Sequence, residues 1–275
     1  MVRDLIFRYS AGARGEGRRD RRDERARPSS SGAWMAVSLL LLVAVWQLIV
    51  SVQGYPAFIL PSPGLVVSRL AAELAGGTLL HRARLTFTAA AGGFAIALAA
   101  SLALGYLLAH TPRLERVVAP QLAATQAVPV VAIAPLIILW LGVGIEAKIV
   151  VAALVTFFPI LSSTIVALRA VPRELLEMAR ISGASGWQTL RLVELPLALP
   201  GIFGGVKAGL ALATTGAVVG EFVGGRDGLG ALINIARGLF DTPLMFAALV
   251  MLAGMTLVFY LIATLLERAL VRWEP

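Results

Sequence analysis

Side chains able to do chemistry are few in this 275-residue chain and unevenly placed. There is no cysteine, which excludes disulfides, thiolate metal sites and a cysteine nucleophile. His81 and His110 stand apart from each other and from any acidic cluster, so they read as interfacial rather than catalytic; no catalytic or metal-ligating constellation emerges. Lys148 and Lys207 are the only lysines, and neither sits in a G-x-x-x-x-G-K-[ST] loop that could cradle phosphates. The chain is therefore not expected to be an enzyme, to hydrolyse ATP or to bind a cofactor. Two features remain. Glu221, in "GAVVGEFVGG", is a carboxylate inside an apolar run, which marks a possible pathway residue. The alternative is a hydrated group near an interface, or a partner for Arg226. The second feature is "EMARISGASGWQTLRLVELPLALPG", residues 177–201, where Glu177, Arg180, Gln188, Arg191 and Glu194 crowd into one stretch.

The elements that must carry these residues are apolar. The hydrophobic fraction is 58% and the charged fraction 15%, with a mean hydropathy of +0.84; soluble domains are about 25% charged. A spanning helix needs about 20 apolar residues, and six such runs occur, at 33–53, 86–110, 116–141, 146–168, 201–224 and 243–266. The expected fold is all-α and polytopic. The first run is too long for a cleaved signal and lacks a small-residue cleavage site, so it reads as retained.

Residues 1–32 form an arm with nine arginines, read as a disordered basic cytoplasmic tail and not as a nucleic-acid-binding arm. Residues 54–85 read as an extracytoplasmic loop with a short amphipathic helix at 64–76. A core at 86–268 follows, with a loop at about 172–200, then a tail at 269–275. Another half-buried helix is expected in "GGRDGLGALINIARGLFDTP". With both termini inside, Arg113, Arg116, Arg169, Arg173, Arg180, Arg191, Arg268 and Arg272 join the arm in the cytoplasm, in line with the positive-inside rule.

Small residues recur every four positions in two runs: Ala89, Gly93, Ala97, Ser101 and Gly105, and Gly205, Gly209, Ala213 and Ala217 beside Gly216, Gly220 and Gly224. Such stripes let helices approach closely. They suit packing within the chain or against a second subunit. Pro129, Pro135 and Pro159 interrupt the third and fourth runs.

The charged loop reads as helix, tight turn, helix. Pro172 suits a first helical position, with Glu174 in the first turn. Leu175, Met178, Ala179 and Ser182 line one face, and Gly183 suits a left-handed stop. Ser185 with Gln188 three residues on is a capping-box signature. Trp187, Leu190 and Val193 share one side of the second helix, and Pro196 ends or bends it before Pro200 leads into the next span.

Glu177, Ala179, Gly183, nine further residues, Val193, then Leu195-Pro196 resemble the EAA signature of binding-protein-dependent ABC importer permeases, E-A-A, three residues, G, nine residues, I-x-L-P. Met178 replaces the first alanine and Val193 the isoleucine. "VPVVAIAPLIILWLGVG", "FFPILSSTIVALRAVPRELLEMAR" and the "GLG" at 228–230 resemble the nitrate/sulfonate/taurine branch. "ATTGAVVGEFVGG" is similar to permeases for riboflavin and for thiamine's pyrimidine precursor. The likeness spans about 55–272 and implies a type I importer permease fold in a prokaryotic inner membrane.

It also implies partners: a cytoplasmic ABC ATPase dimer that uses ATP and Mg, a second permease subunit (a homodimer), an extracytoplasmic solute-binding protein and membrane lipid. On this resemblance Glu177, Ala179, Arg180, Ser182, Gly183, Ala184, Ser185 and Gly186 couple to the ATPase. Pro172, Val193, Leu195 and Pro196 shape the loop. A stand-alone secondary transporter or channel is the alternative; no residues assemble for a membrane enzyme.

Overall fold

The computed structural model describes residues 30–271. Residues 1–29 of the arm read at 1–32, with all nine of its arginines, and the last four residues lie outside that range. The chain divides into two units, Met1–Tyr55 and Pro56–Pro275. In the first, α1 is Ser30–Gln53, apolar around its whole circumference. Within it, Gln47 Nε2 donates to Ser51 Oγ at 3.1 Å.

The second unit holds α2 (Pro63–Ala75), α3 (Thr78–His110), α4 (Pro112–Ala127), α5 (Val130–Leu141), α6 (Ile145–Arg169), α7 (Arg173–Ile181), α8 (Gly186–Thr189), a π-helical turn (Leu190–Glu194), α9 (Leu195–Gly224), α10 (Leu229–Gly238) and α11 (Thr242–Leu270). Among the described residues every element is helical. Each helix closes its own backbone hydrogen bonds, as a bilayer requires. The amphipathic helix expected at 64–76 is α2, capped by Ser62 Oγ accepting from the Leu65 amide. The half-buried helix after the fifth run is α10, with Leu229 to Ile233 buried.

Among the described residues, five helical segments are long and apolar enough to cross a membrane, and a sixth candidate is a sharply bent helix pair. The run at 116–141, expected as one span, is instead α4 and α5 meeting at 94°. Val128 is extended (φ −91°, ψ 117°) before Pro129, because a residue preceding proline is pushed out of the helical region. Pro135 and Pro159, by contrast, lie within α5 and α6.

At the core α6 packs against both α3 and α9, which also touch each other. Both small-residue stripes face α6. A Cβ at Gly93 would lie 2.7 Å from the Ile149 carbonyl oxygen, and one at Gly216 would lie 2.7 Å from Ala152 Cα, so α6 is gripped from two sides at one level. Gly105 meets Thr164, Gly209 meets Ile160 and Thr156, and Gly220 meets the Lys148 backbone. Small residues permit this because the helices gain from dispersion and close contact, not from expelling water. Ser101 adds an inter-helix bond, donating to the Phe157 carbonyl at 2.8 Å. The stripes are thus packing surfaces within one chain.

α11 covers α9, and its apolar face includes Phe259, stacked on Phe87 of α3 with ring centroids 4.8 Å apart. Ion pairs tie the helices at both ends. Arg69 of α2 bonds Asp241, which caps α11, at 2.8 Å. Lys207 of α9 pairs with Glu267 of α11, and Arg169 of α6 with Glu115 of α4.

Candidate functional site

The charged loop folds as two short helices around a tight turn. α7 begins at Arg173, so Pro172 is its N-cap rather than its first helical residue. The extended ψ of 129° at Pro172 makes the difference, since a cap residue is not yet helical. α7 ends in a Schellman motif: Gly183 N–H donates to the Arg180 carbonyl and Ala184 N–H to the Ala179 carbonyl, each at 3.0 Å. Gly183 takes φ +76°, the left-handed conformation that glycine reaches without strain. Ser185 then caps α8 with the expected capping box, Gln188 N–H donating to Ser185 Oγ and Ser185 N–H to Gln188 Oε1.

Packing sorts the loop residues. Ala179 and Val193, each 4% exposed, face the bundle. Glu177, Arg180, Ser182, Gly183, Ser185 and Gly186 are exposed, and Ala184 is half-buried. The α7 face expected from Leu175, Met178, Ala179 and Ser182 is only partly inward: Met178 and Ser182 are exposed, and half-buried Leu176 joins Leu175 instead. The shared side expected for Trp187, Leu190 and Val193 also divides, since Val193 is buried and Trp187 is 68% exposed. Ile181 is 87% exposed. Sequence reading missed these two uncovered apolar side chains beside the turn.

The second helix does not stop at Pro196. From Gly186 to Gly224 the helix is continuous, with one wide π-helical turn at Leu190–Glu194. There the Leu195 amide donates to the Leu190 carbonyl, five residues back. Proline in a regular helix clashes with the carbonyl four residues earlier; the widened turn before Pro196 gives that carbonyl room. His110, expected to be isolated, meets Glu194 in this turn: Nε2 lies 2.9 Å from Glu194 Oε2 while Nδ1 faces the Tyr106 carbonyl. The two residues are distant in sequence, and only the antiparallel run of α3 and α9 joins them.

At the opposite end of α9, Glu221 is fully buried. It neither pairs with Arg226 nor reaches the chain's surface. Thr86 Oγ1 of α3 lies 2.8 Å from Glu221 Oε1, and the Gly230 amide donates to Oε2 at 2.7 Å. Thr86 Oγ1 also accepts from the Leu229 amide at 2.9 Å. The first two amides of α10 are thereby satisfied, one by the carboxylate and one through the hydroxyl. Gly228, at φ +115°, lies against the carboxylate, and a Cβ there would collide with it. Two cations hold the preceding loop by its backbone: Lys148 Nζ donates to the Asp227 carbonyl at 2.6 Å and Arg82 Nη1 to the Arg226 carbonyl at 3.3 Å. No group of three or more metal-ligating side chains gathers among the described residues.

Residues 96–273 match the family model for binding-protein-dependent transport system inner membrane components. The chain belongs to that family. It is a permease subunit of an ABC importer, a multi-pass membrane protein that couples to a separate ATPase. The permease is 61% identical, over 87% of its length and 90% of the relative's, to the riboflavin transport system permease protein RibX of Chloroflexus aurantiacus. It is 32% identical to the formylaminopyrimidine transport permease protein ThiX of Halalkalibacterium halodurans, over 86% and 93% of the two chains. Among solved structures, the inward-facing MetNI methionine ABC transporter shares the permease's fold, with a TM-score of 0.59 over 70% of this chain and 94% of that one.

Proposed function

We propose that the permease imports riboflavin or a closely related vitamin-sized solute, and that the turn at 182–186 is its contact with the ATPase. The 61% identity to a riboflavin permease over 87% of the chain carries the substrate reading. Pyrimidine precursors of thiamine are the next class to test, given the likeness to ThiX. Calorimetry on the partner solute-binding protein with riboflavin, formylaminopyrimidine, taurine and nitrate tests this directly. Tight binding of riboflavin alone supports the reading, and tight binding of taurine or nitrate alone overturns it.

The coupling assignment draws on exposure and rigidity. Glu177, Arg180, Ser182, Gly183, Ala184, Ser185 and Gly186 form a compact tip, buried Ala179 and Val193 seat it on the bundle, and Pro172, Leu195 and Pro196 shape the loop around it. Exposed Ile181 and Trp187 flank the tip and supply the apolar contact that a protein groove would cover. Two copies of the chain would form the pathway, each presenting its turn to one subunit of an ATPase dimer, where ATP and Mg are used. A solute-binding protein would dock at the other face. The arginine distribution supports both termini and the turn lying in the cytoplasm.

A further inference from the structure

We propose that Glu221 and Thr86 form a clasp that makes α10 move with α9, and so relays motion from the coupling turn to the far end of the bundle. The inference rests on the coupling role proposed above.

Three observations support it. The helical path from the turn to Glu221 is unbroken: the Ser185 cap opens α8, and Gly186–Gly224 follows as one helix about 58 Å long at 1.5 Å per residue. At its far end, Glu221 is fully buried and spends its hydrogen bonds on α10 and α3 rather than on solvent. Finally, the geometry has no slack. Gly228 leaves no room for a side chain beside the carboxylate, and a Cβ at Gly230 would lie 2.8 Å from the Val218 carbonyl oxygen.

The carboxyl group acts here as a hydrogen-bond acceptor at the N-terminus of α10, where backbone N–H groups lack intrahelical partners. Removing its partners leaves a buried polar group unsatisfied, which opposes their separation. Lys148 and Arg82 do not neutralise Glu221 by direct hydrogen bonds; each binds a loop carbonyl instead. The cations fix the loop, and the carboxylate with Thr86 fixes the helix that follows. Glu221 is thus a positioning residue.

Hydrogen exchange read by mass spectrometry, on the assembled permease–ATPase complex in nanodiscs, tests the relay at both ends at once. Samples are nucleotide-free or trapped with ATP and vanadate. In the wild type, trapping changes exchange in peptides covering 177–192 and also in those covering 229–238. In Glu221→Gln and Thr86→Val, the response at 177–192 persists while the response at 229–238 is lost. Basal exchange rises at the Leu229 amide in Thr86→Val, by about tenfold or more, and at the Gly230 amide in Glu221→Gln, as expected when a hydrogen bond is lost or weakened. Thr86→Ser keeps the hydroxyl and behaves as the wild type. If Glu221→Gln does not fold, Thr86→Val carries the same readouts. A nucleotide response at 229–238 that survives in a folded variant overturns the clasp. No response at 177–192 in the wild type overturns the coupling role itself.

Discussion

Gly183 and Glu221 differ in how far their surroundings could be read from sequence. The Schellman turn at Gly183 and the capping box at Ser185 use partners within five residues, so a local pattern sufficed. Thr86, the partner of Glu221, lies 135 residues away, and nothing local distinguishes it from Thr88. Gly183 has open space around its Cα, so a substitution there is opposed by backbone conformation and not by a clash. A β-carbon in the left-handed region costs about 1–2 kcal/mol, less for asparagine. Gly183→Leu is therefore expected to insert normally and lose ATPase association, with Gly183→Asn retaining most of it, as read by co-purification of the ATPase. Trp187→Ala is expected to weaken that association about tenfold or more, as loss of an interface anchor does. Because Trp187 is exposed, the same change leaves thermal unfolding of the permease within about 0.5 kcal/mol.

At the scale of elements, the packing of α3, α6 and α9 follows from four-residue spacing of small residues, and that spacing was legible. Which helix each stripe would meet was not, because a small residue records closeness without naming its neighbour. The structure turns this into a contrast. Gly216 sits against the α6 backbone, whereas Gly204 and Gly254 have no atom within 4 Å of an added Cβ. Gly216→Leu is expected to destabilise the bundle by about 1–3 kcal/mol or more through overpacking; Gly204→Ala and Gly254→Ala should match the wild type in detergent melts. Proline was the less reliable guide. Pro129 marks the 94° break between α4 and α5, yet Pro196 and Pro200 lie in a continuous helix. The π-helical turn that tolerates Pro196 is held partly by packing, with Val193 and Glu194 buried against the bundle, and no short motif encodes it. The Lys207–Glu267 pair joins α9 to α11, so Glu267→Gln should lower the melting temperature, and the double reversal Lys207→Glu with Glu267→Lys should recover part of the loss.

Across the whole molecule, composition alone separated a bilayer protein from a soluble one, and five of the six apolar runs coincide with long single helices to within several residues at most ends, the third being bent by 94°. The long reach of α9 was not apparent, because the charged loop reads as an interruption rather than as the start of the next helix. That continuity supports the proposed mechanics: the charged elbow lies at one end of the long helix, the buried Glu221 at the other, and close-packed helices between them. The proposed coupling role requires the elbow to touch an ATPase. The absence of native cysteines makes that contact measurable, since Ser182→Cys would be the sole thiol in the permease. Disulfide or bifunctional cross-linking from that position, in inverted membrane vesicles carrying the assembled transporter, tests the central claim most directly. Coupling through this turn predicts a cross-link to the ATPase whose yield changes when ATP and vanadate trap the complex. A Ser182→Cys thiol that labels only from the extracytoplasmic side, or never cross-links to the ATPase in an active transporter, would contradict it.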